Sequence, residues 1–397
     1  MPSEDRAPVA LALGGLFSLA AAMGIGRFVY TPILPFMSEG LPLPADDAGL
    51  IAAANFLGYL TGALAGAARS LPGNPRTWFL GGLLVSALTS AAMAATTSLE
   101  AFLAIRFVSG IASAFALVFS TTLVLDRLVQ SGRGGLSALH FAGVGCGIAF
   151  SALLVATLAR FDPDWRALWL GSAAATLLFM AVAAILVPGQ TQAKTQAKAQ
   201  ATAPSPAQGA PENQKGYMNG GLMRLILAYG LFGFGYVITA TFVSTIARTT
   251  PALQSSEPYV WLTVGLCAAP SIYIWNRISA NAGVRRAFAF ACLLEAAGVA
   301  LTALTLEPGL FLLGAALLGV TFMGITALGL MEARRQATPA GPAAVRQILA
   351  VLTASFGVGQ VVGPWVAGEL HAVTGSFSTA SLAAAAALVV AAGLAVF

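Results

Sequence analysis

"VALALGGLFSLAAAMGIGRFVYTPILPFM", Val9 to Met37, is a continuous apolar stretch with a single charged residue, Arg27, inside it. An α-helix rises 1.5 Å per residue, so roughly 20 apolar residues cross the about 30 Å of a bilayer's hydrocarbon core. This stretch is long enough to span a membrane at a tilt. Eleven more blocks of comparable length follow, at 48–68, 77–97, 100–125, 136–159, 166–187, 221–246, 258–275, 287–306, 309–331, 343–369 and 377–397. Membrane β-strands would show as alternating segments of about ten residues. These blocks are continuous and rich in Ala and Leu, so the expected class is an all-α membrane protein with twelve transmembrane helices.

Composition agrees. The chain of 397 residues is 58% hydrophobic and 9% charged, with a mean hydropathy of +0.83. Soluble domains run at about 45–50% apolar and about 25% charged. The net charge of +5 does not indicate a nucleic-acid partner, because the basic residues lie in short loops between apolar blocks rather than on one polar face. Cys146, Cys267 and Cys292 fall inside apolar blocks without CxxC or Cys/His spacing, so no disulfide framework, metal site or cofactor is expected. The N-terminal "MPSEDRAPVA" carries two acids and no basic run, and no cleaved signal peptide is expected.

Of the 20 Lys and Arg residues, fifteen fall in inner segments and three (Arg160, Arg166 and Arg248) in outer loops if the N-terminus is inside. Basic residues are retained on the cytoplasmic side. The expectation is a multi-pass protein of a bacterial inner (plasma) membrane with both termini cytoplasmic. "GQTQAKTQAKAQATAPSPAQGAPENQKG", Gly189 to Gly216, has the composition of a flexible tether. It divides the chain into an N-terminal six-helix bundle (1–188), a cytoplasmic linker (189–219) and a C-terminal six-helix bundle (220–397). The halves repeat one another: "GIGRFVYT" at Gly24 pairs with "GFGYVITA" at Gly233, and "GVG" at Gly143 with "GVG" at Gly357. Such parallel repeats are common in transporters.

Four stretches resemble the major facilitator superfamily over nearly the whole length. "RFVSGIASA", Arg106 to Ala114, resembles its fourth-span signature. "GQVVGPWVAG", Gly359 to Gly368, resembles its glycine-proline motif, echoed without the proline by "GVGCGIAFS", Gly143 to Ser151. "GALAGAARSLPGNPR" and "WNRISANAGVRR" are similar to the family's loop motif, with Gly66 and Asn276 where aspartate is usual. "GIGRFVYTPILPFM" resembles the first span of the YbfB/YjiJ-type branch. The resemblance implies two pseudo-symmetric six-helix bundles, with the third, sixth, ninth and twelfth helices peripheral and the others lining a central cavity.

An ionisable side chain at membrane depth costs roughly 2.5–3.5 kcal/mol on insertion scales and so faces the bundle interior. Arg27, Arg106 and Glu295 lie well inside spans, and His140 lies about a turn from an inner end. Polar residues recur at helical spacing as Arg27 and Tyr30, Asn55 and Tyr59, and Tyr229, Gly233 and Tyr236. The candidate binding set is Arg27, Tyr30, Asn55, Tyr59, Arg106, Tyr236 and Gln360. The candidate coupling or gating set is His140, Asp126, Glu332, Gly143, Gly147, Gly359, Gly363 and Pro364. Several readings stay open. Arg106 either supports a bound anion or bonds carbonyls of the fifth helix. His140 is a proton carrier or an interhelical hydrogen-bonder, and Glu295 an interhelical bond or a protonated carboxyl. Asp126 with Arg127, and Glu332 with Arg334 or Arg335, are solvated helix ends or cytoplasmic gate contacts.

No GxxxxGK[ST] sequence is present, so an ion or solute gradient would supply the drive. The expected function is secondary transport of a small organic solute, in particular an organic anion, by alternating access, with a proton or another ion as coupling partner and a monomeric chain in the bilayer. The competing classes are a transporter-like membrane sensor and a membrane-embedded enzyme. Against the enzyme, the two histidines, His140 and His371, fall near opposite faces and no carboxylate pair lies within the spans.

Overall fold

The structure, a computed structural model, describes residues 6–67, 72–161, 164–189 and 219–396. The expected linker at 189–219 lies almost wholly outside the described residues. All regular elements among these are helical. Twelve long segments follow in order: α1 Ala7–Gly40, α2 Ala45–Gly66, α3 Pro75–Met93, α4 Leu99–Gln130, α5 Gly134–Leu158, α6 Trp165–Leu186, α7 Gly220–Thr249, α8 Pro251–Ala268 with Ser271–Ala282, α9 Val284–Leu304, α10 Pro308–Ala340, α11 Pro342–Thr374 and α12 Ser378–Val396. Ten are long and apolar enough to cross a bilayer singly, and the two helices of α8 are so only taken together, as a pair bent by 46°. Pro270, which has no N–H to give, stands at that bend. The remaining helix, α3, opens on Arg76, Thr77 and Trp78, which shorten its apolar run.

Helix starts follow local chemistry. The side chains of Asn74, Ser98, Asp164, Asn219 and Glu307 each accept a backbone N–H in the first turn of α3, α4, α6, α7 and α10. This satisfies donors that a helix leaves open at its N-terminus. Between α10 and α11 the chain reverses at Gly341 with φ of +91°, a backbone conformation that side chains rarely adopt.

Glycines set the helix contacts, because lipid supplies no hydrophobic drive between helices and close approach must replace it. On α5, Gly143 and Gly147 press on the backbone of Leu16 and Ala20 in α1. On α11, Gly359 and Gly363 press on Gly230 and Phe234 of α7. The fifth helix of each half is thus seated on that half's first helix in the same manner. Other glycines cross between halves: Gly145 of α5 meets Ala268 and Ala269 of α8, and Gly265 of α8 meets Ala149. In α2, Gly49 lies against the carbonyl of Pro364, and Gly368 of α11 lies against Ala45 and Asp46. With the topology expected from charge, these α2–α11 contacts fall at the outer end.

Candidate functional site

α1 is not one regular helix. After Leu19 it widens to a π-turn over Ala20–Ile25, passes through a turn at Gly26–Val29 where the regular bonding pattern is interrupted, and resumes as α-helix over Tyr30–Gly40. Gly26 N–H and Phe28 N–H reach back five residues, to Ala21 and Met23. The break needs outside partners for its carbonyls, since a buried polar group without one is costly. Arg106 of α4 supplies them. Its Nη1 donates to the Gly26 carbonyl at 3.2 Å and its Nη2 to the Arg27 carbonyl at 2.9 Å, and the Ser109 hydroxyl donates to Gly26 at 3.3 Å. Arg106 therefore bonds carbonyls of the first helix, not those of the fifth, where the sequence had suggested they would lie. Asn55 of α2 holds α4 in register by donating to the Arg106 carbonyl at 3.0 Å. The Tyr30 ring packs 5.2 Å from the Arg106 guanidinium, and its hydroxyl donates to the Ala48 carbonyl.

Arg27 sits in the break itself, only 3% exposed. Its guanidinium carbon is 4.0 Å from the ring centroid of Tyr59, 4.6 Å from Phe56 and 5.4 Å from Phe28. Aromatic faces attract a cation but accept no strong hydrogen bond from its N–H groups. The Nε and Nη2 of Arg27 are buried with no hydrogen-bond partner among the described residues. Within one void, then, Arg106 commits both terminal nitrogens to the backbone and keeps only Nε unpartnered among the described residues, whereas Arg27 keeps both Nε and Nη2. That void is lined by Arg27, Phe28, Tyr30, Thr31, Ala52, Phe56, Arg106, Ala240 and Thr241, and its volume is about 10 Å³. This is room for about one water. Tyr59 is half-buried at the edge of this cluster.

On the C-terminal side a stack of rings faces this cluster. Tyr236 lies parallel to Phe322 at 5.7 Å and to Phe356 at 5.8 Å, and Phe322 meets Phe28 edge-on at 6.4 Å. Gln360 Nε2 donates to the Tyr236 hydroxyl, while its Oε1 is buried without a partner. The seven candidate binding residues divide accordingly. Arg27, Tyr30 and Arg106 share the void, and Tyr59 packs on Arg27. Asn55 clamps α4, and Tyr236 and Gln360 form a pair on the opposite wall.

The candidate coupling and gating residues lie elsewhere. His140 is fully buried against Gly15, with neither ring nitrogen hydrogen-bonded among the described residues. Asp126 is exposed in the last turns of α4, and its neighbour Arg127 donates to the Pro188 carbonyl at 3.0 Å. Glu332 accepts two bonds from Arg335, at 2.8 and 2.7 Å, and one from Gln336, all within its own helix. Pro364 bears on Gly49 across the two halves.

Sequence reasoning missed the seal between α1 and α7. The Thr31 hydroxyl donates to the Ala240 carbonyl at 2.7 Å, directly over the void. Further out, Arg248 of α7 holds Glu39 of α1 through two bonds of 2.6 and 2.8 Å, lies 3.6 Å from Glu257 of α8, and covers the Phe36 ring at 4.0 Å. A signal was present: Glu39 and Arg248 close the first helix of each half with opposite charges. Phe28 and Phe56 were also missed, since nothing marks two phenylalanines among 23.

Comparison with known proteins agrees with this architecture. The family described as "uncharacterised MFS-type transporter YbfB" matches residues 19–396. The MFS-type transporter YceJ of Bacillus subtilis (strain 168) is 24% identical over 376 residues, covering 91% of this chain and 89% of its own. Among solved structures, a point mutant of the nucleoside transporter NupG superposes with a TM-score of 0.72 at 17% identity, covering 97% of this chain and 99% of that one. Unmutated NupG gives 0.70 at 16% identity, covering 98% of each.

Proposed function

Because this chain belongs to the YbfB-type family of MFS transporters, and is thus a membrane transporter rather than an enzyme, we propose that it carries an organic carboxylate with a flat, apolar body. The observation that supports this is the adjacent pair of donors, Nε and Nη2, left unpartnered on buried Arg27, while Arg106 beside it commits both terminal nitrogens to backbone carbonyls. A guanidinium fork matches a carboxylate in bidentate fashion, with short charge-assisted bonds. Phe28, Phe56 and Tyr59 would pack on the body of the solute, and Tyr236 with Gln360 would meet its far end. Arg106 positions Arg27 by holding the break in α1 open.

A void of about 10 Å³ does not hold such a solute. Its far wall is Ala240 and Thr241 of α7, and Ala240 also receives the Thr31 bond. Admitting the solute and moving α7 against α1 are therefore one event, which is how occupancy would couple to alternating access. The inner-membrane location and cytoplasmic termini belong to this reading.

The test is thermal unfolding of the purified protein with a panel of aromatic and unsaturated carboxylates, their neutral amides, and nucleosides. Specific binding stabilises by RT ln(1 + [L]/Kd), about 2.7 kcal/mol at a hundredfold excess. Stabilisation by an acid and not by its amide supports the reading. Stabilisation by nucleosides alone would replace it with a neutral solute.

A further inference from the structure

Glu295 lies midway along α9, wholly buried, and both its carboxyl oxygens lack a hydrogen-bond partner among the described residues. α9 packs chiefly on α10 and α12, and more lightly on α7 and α8. α12 brings no titratable side chain. On α10, Glu332, Arg334 and Arg335 stand eleven or more positions from Thr321, roughly 16 Å or more along the axis, and Glu307 lies still further off at the opposite end. The titratable groups that act on Glu295 or feel it are Cys292, one turn away on α9, and Tyr236 of α7. Tyr273 and Arg277 of α8 are exposed and bonded to each other, Arg224 and Arg248 lie towards the two ends of α7, and Arg285 and Arg286 stand nine or more positions from Glu295 at the start of α9, roughly 13 Å or more along the axis.

The polar side chain beside the carboxyl is Thr321. Its hydroxyl hydrogen goes to the Leu317 carbonyl at 2.6 Å, so it has none to give Glu295. A carboxylate is an acceptor only, and a buried one with no donor and no cation beside it is strongly disfavoured. A carboxylic acid in the same place is neutral and escapes most of that cost.

We propose that Glu295 is a proton-binding site of the transport cycle, filled in the outer-closed state seen here and emptied when the outer side opens. Two connections support a role in the cycle beyond packing. Thr302, two turns outward on the same face of α9, lines an outer cleft of about 540 Å³ together with Thr245 of α7. Deepening that cleft brings water toward Glu295. There the O–H bond breaks, the proton passes to water, and the carboxylate is left hydrated. Thr321 also precedes Phe322, whose ring stacks on Tyr236 and meets Phe28 beside Arg27. α10 is thus shared between proton site and solute site. The proposal does not rest on the carboxylate reading, and its test uses no solute.

The experiment places one cysteine at Thr245, which is 8% exposed, after Cys146, Cys267 and Cys292 are replaced by alanine. Labelling by an impermeant maleimide is followed against pH in proteoliposomes and normalised to the unfolded chain, alongside infrared titration of protonated carboxyl groups. The expected result is protection at low pH, labelling that rises as pH rises, and a carboxylic-acid band that fades over the same range. In Glu295→Gln the band is missing and Thr245 stays protected throughout. In Glu295→Asp the transition persists with a shifted midpoint. A parent protein that labels independently of pH, or a Glu295→Gln variant that retains the band or the pH response, overturns the proposal.

Discussion

At the break in α1, two arginines of identical charge have opposite uses. Arg106 gives hydrogen bonds from both terminal nitrogens to carbonyls that the irregular turn leaves open and keeps only Nε unspent, whereas Arg27 keeps Nε and Nη2 unspent inside a ring of aromatic faces. Arg106→Met should therefore act on the fold. It strands the Arg27 carbonyl, at about 1–3 kcal/mol for a buried unsatisfied group, and should lower the thermal midpoint in detergent whatever solute is added. An unchanged midpoint would show that the break holds itself open. That both arginines matter was legible in the sequence, because a charge at membrane depth is costly and needs a reason. Which carbonyls Arg106 serves was not, since the π-turn that frees them is a departure from helical periodicity that no residue type announces. Tyr30 and Asn55 were recognised as polar and inward-facing, but only the structure shows them bonded to backbone.

Among the elements, α5 and α11 each carry two glycine faces. One seats the helix on the first helix of its own half, and the other meets the opposite half. Gly143 and Gly147 belong to the first kind and Gly145 to the second. Gly145→Val, whose side chain would enter the backbone of Ala268 and Ala269, should prevent the halves from closing across α5 and α8. The expected effect is faster maleimide labelling of a cysteine at Thr245, with transport lost and folding retained. Equal labelling would mean that this contact does not control closure. The spans themselves were legible from length and hydropathy, and α3 held as a helix although Arg76, Thr77 and Trp78 weaken its apolar run. The two roles of neighbouring glycines were not legible, because a GVG sequence records small size and not the direction in which each Cα points.

For the whole molecule, closure on the outer side rests on α1 against α7 at both Thr31–Ala240 and Glu39–Arg248. The second pair is partly exposed, with Arg248 at 26% and Glu39 at 59%, so it contributes only about 0.2–1 kcal/mol and weakens with salt. Glu39→Gln should raise outer labelling modestly, the more so at low ionic strength, and exchanging the charges as Glu39→Arg with Arg248→Glu in a Glu257→Gln background, which removes the acid 3.6 Å from Arg248, should restore the rate of that background. Failure of the exchange would assign the effect to the loop and not to the pair. The duplicated helix order was legible from paired motifs in the two halves, but a contact that joins the ends of two helices 209 positions apart has no local signature. Orientation can be checked with a cysteine at Pro42, expected to label from outside in intact cells. The most direct measurement is uptake of a radiolabelled carboxylate, chosen from the thermal screen, into proteoliposomes holding the parent protein, Arg27→Lys or Arg27→Gln. The account predicts uptake by the parent, weakened uptake by the lysine variant, which keeps the charge but loses the planar fork, and none by the glutamine variant at an unchanged thermal midpoint. Uptake by Arg27→Gln at the parent rate would contradict it.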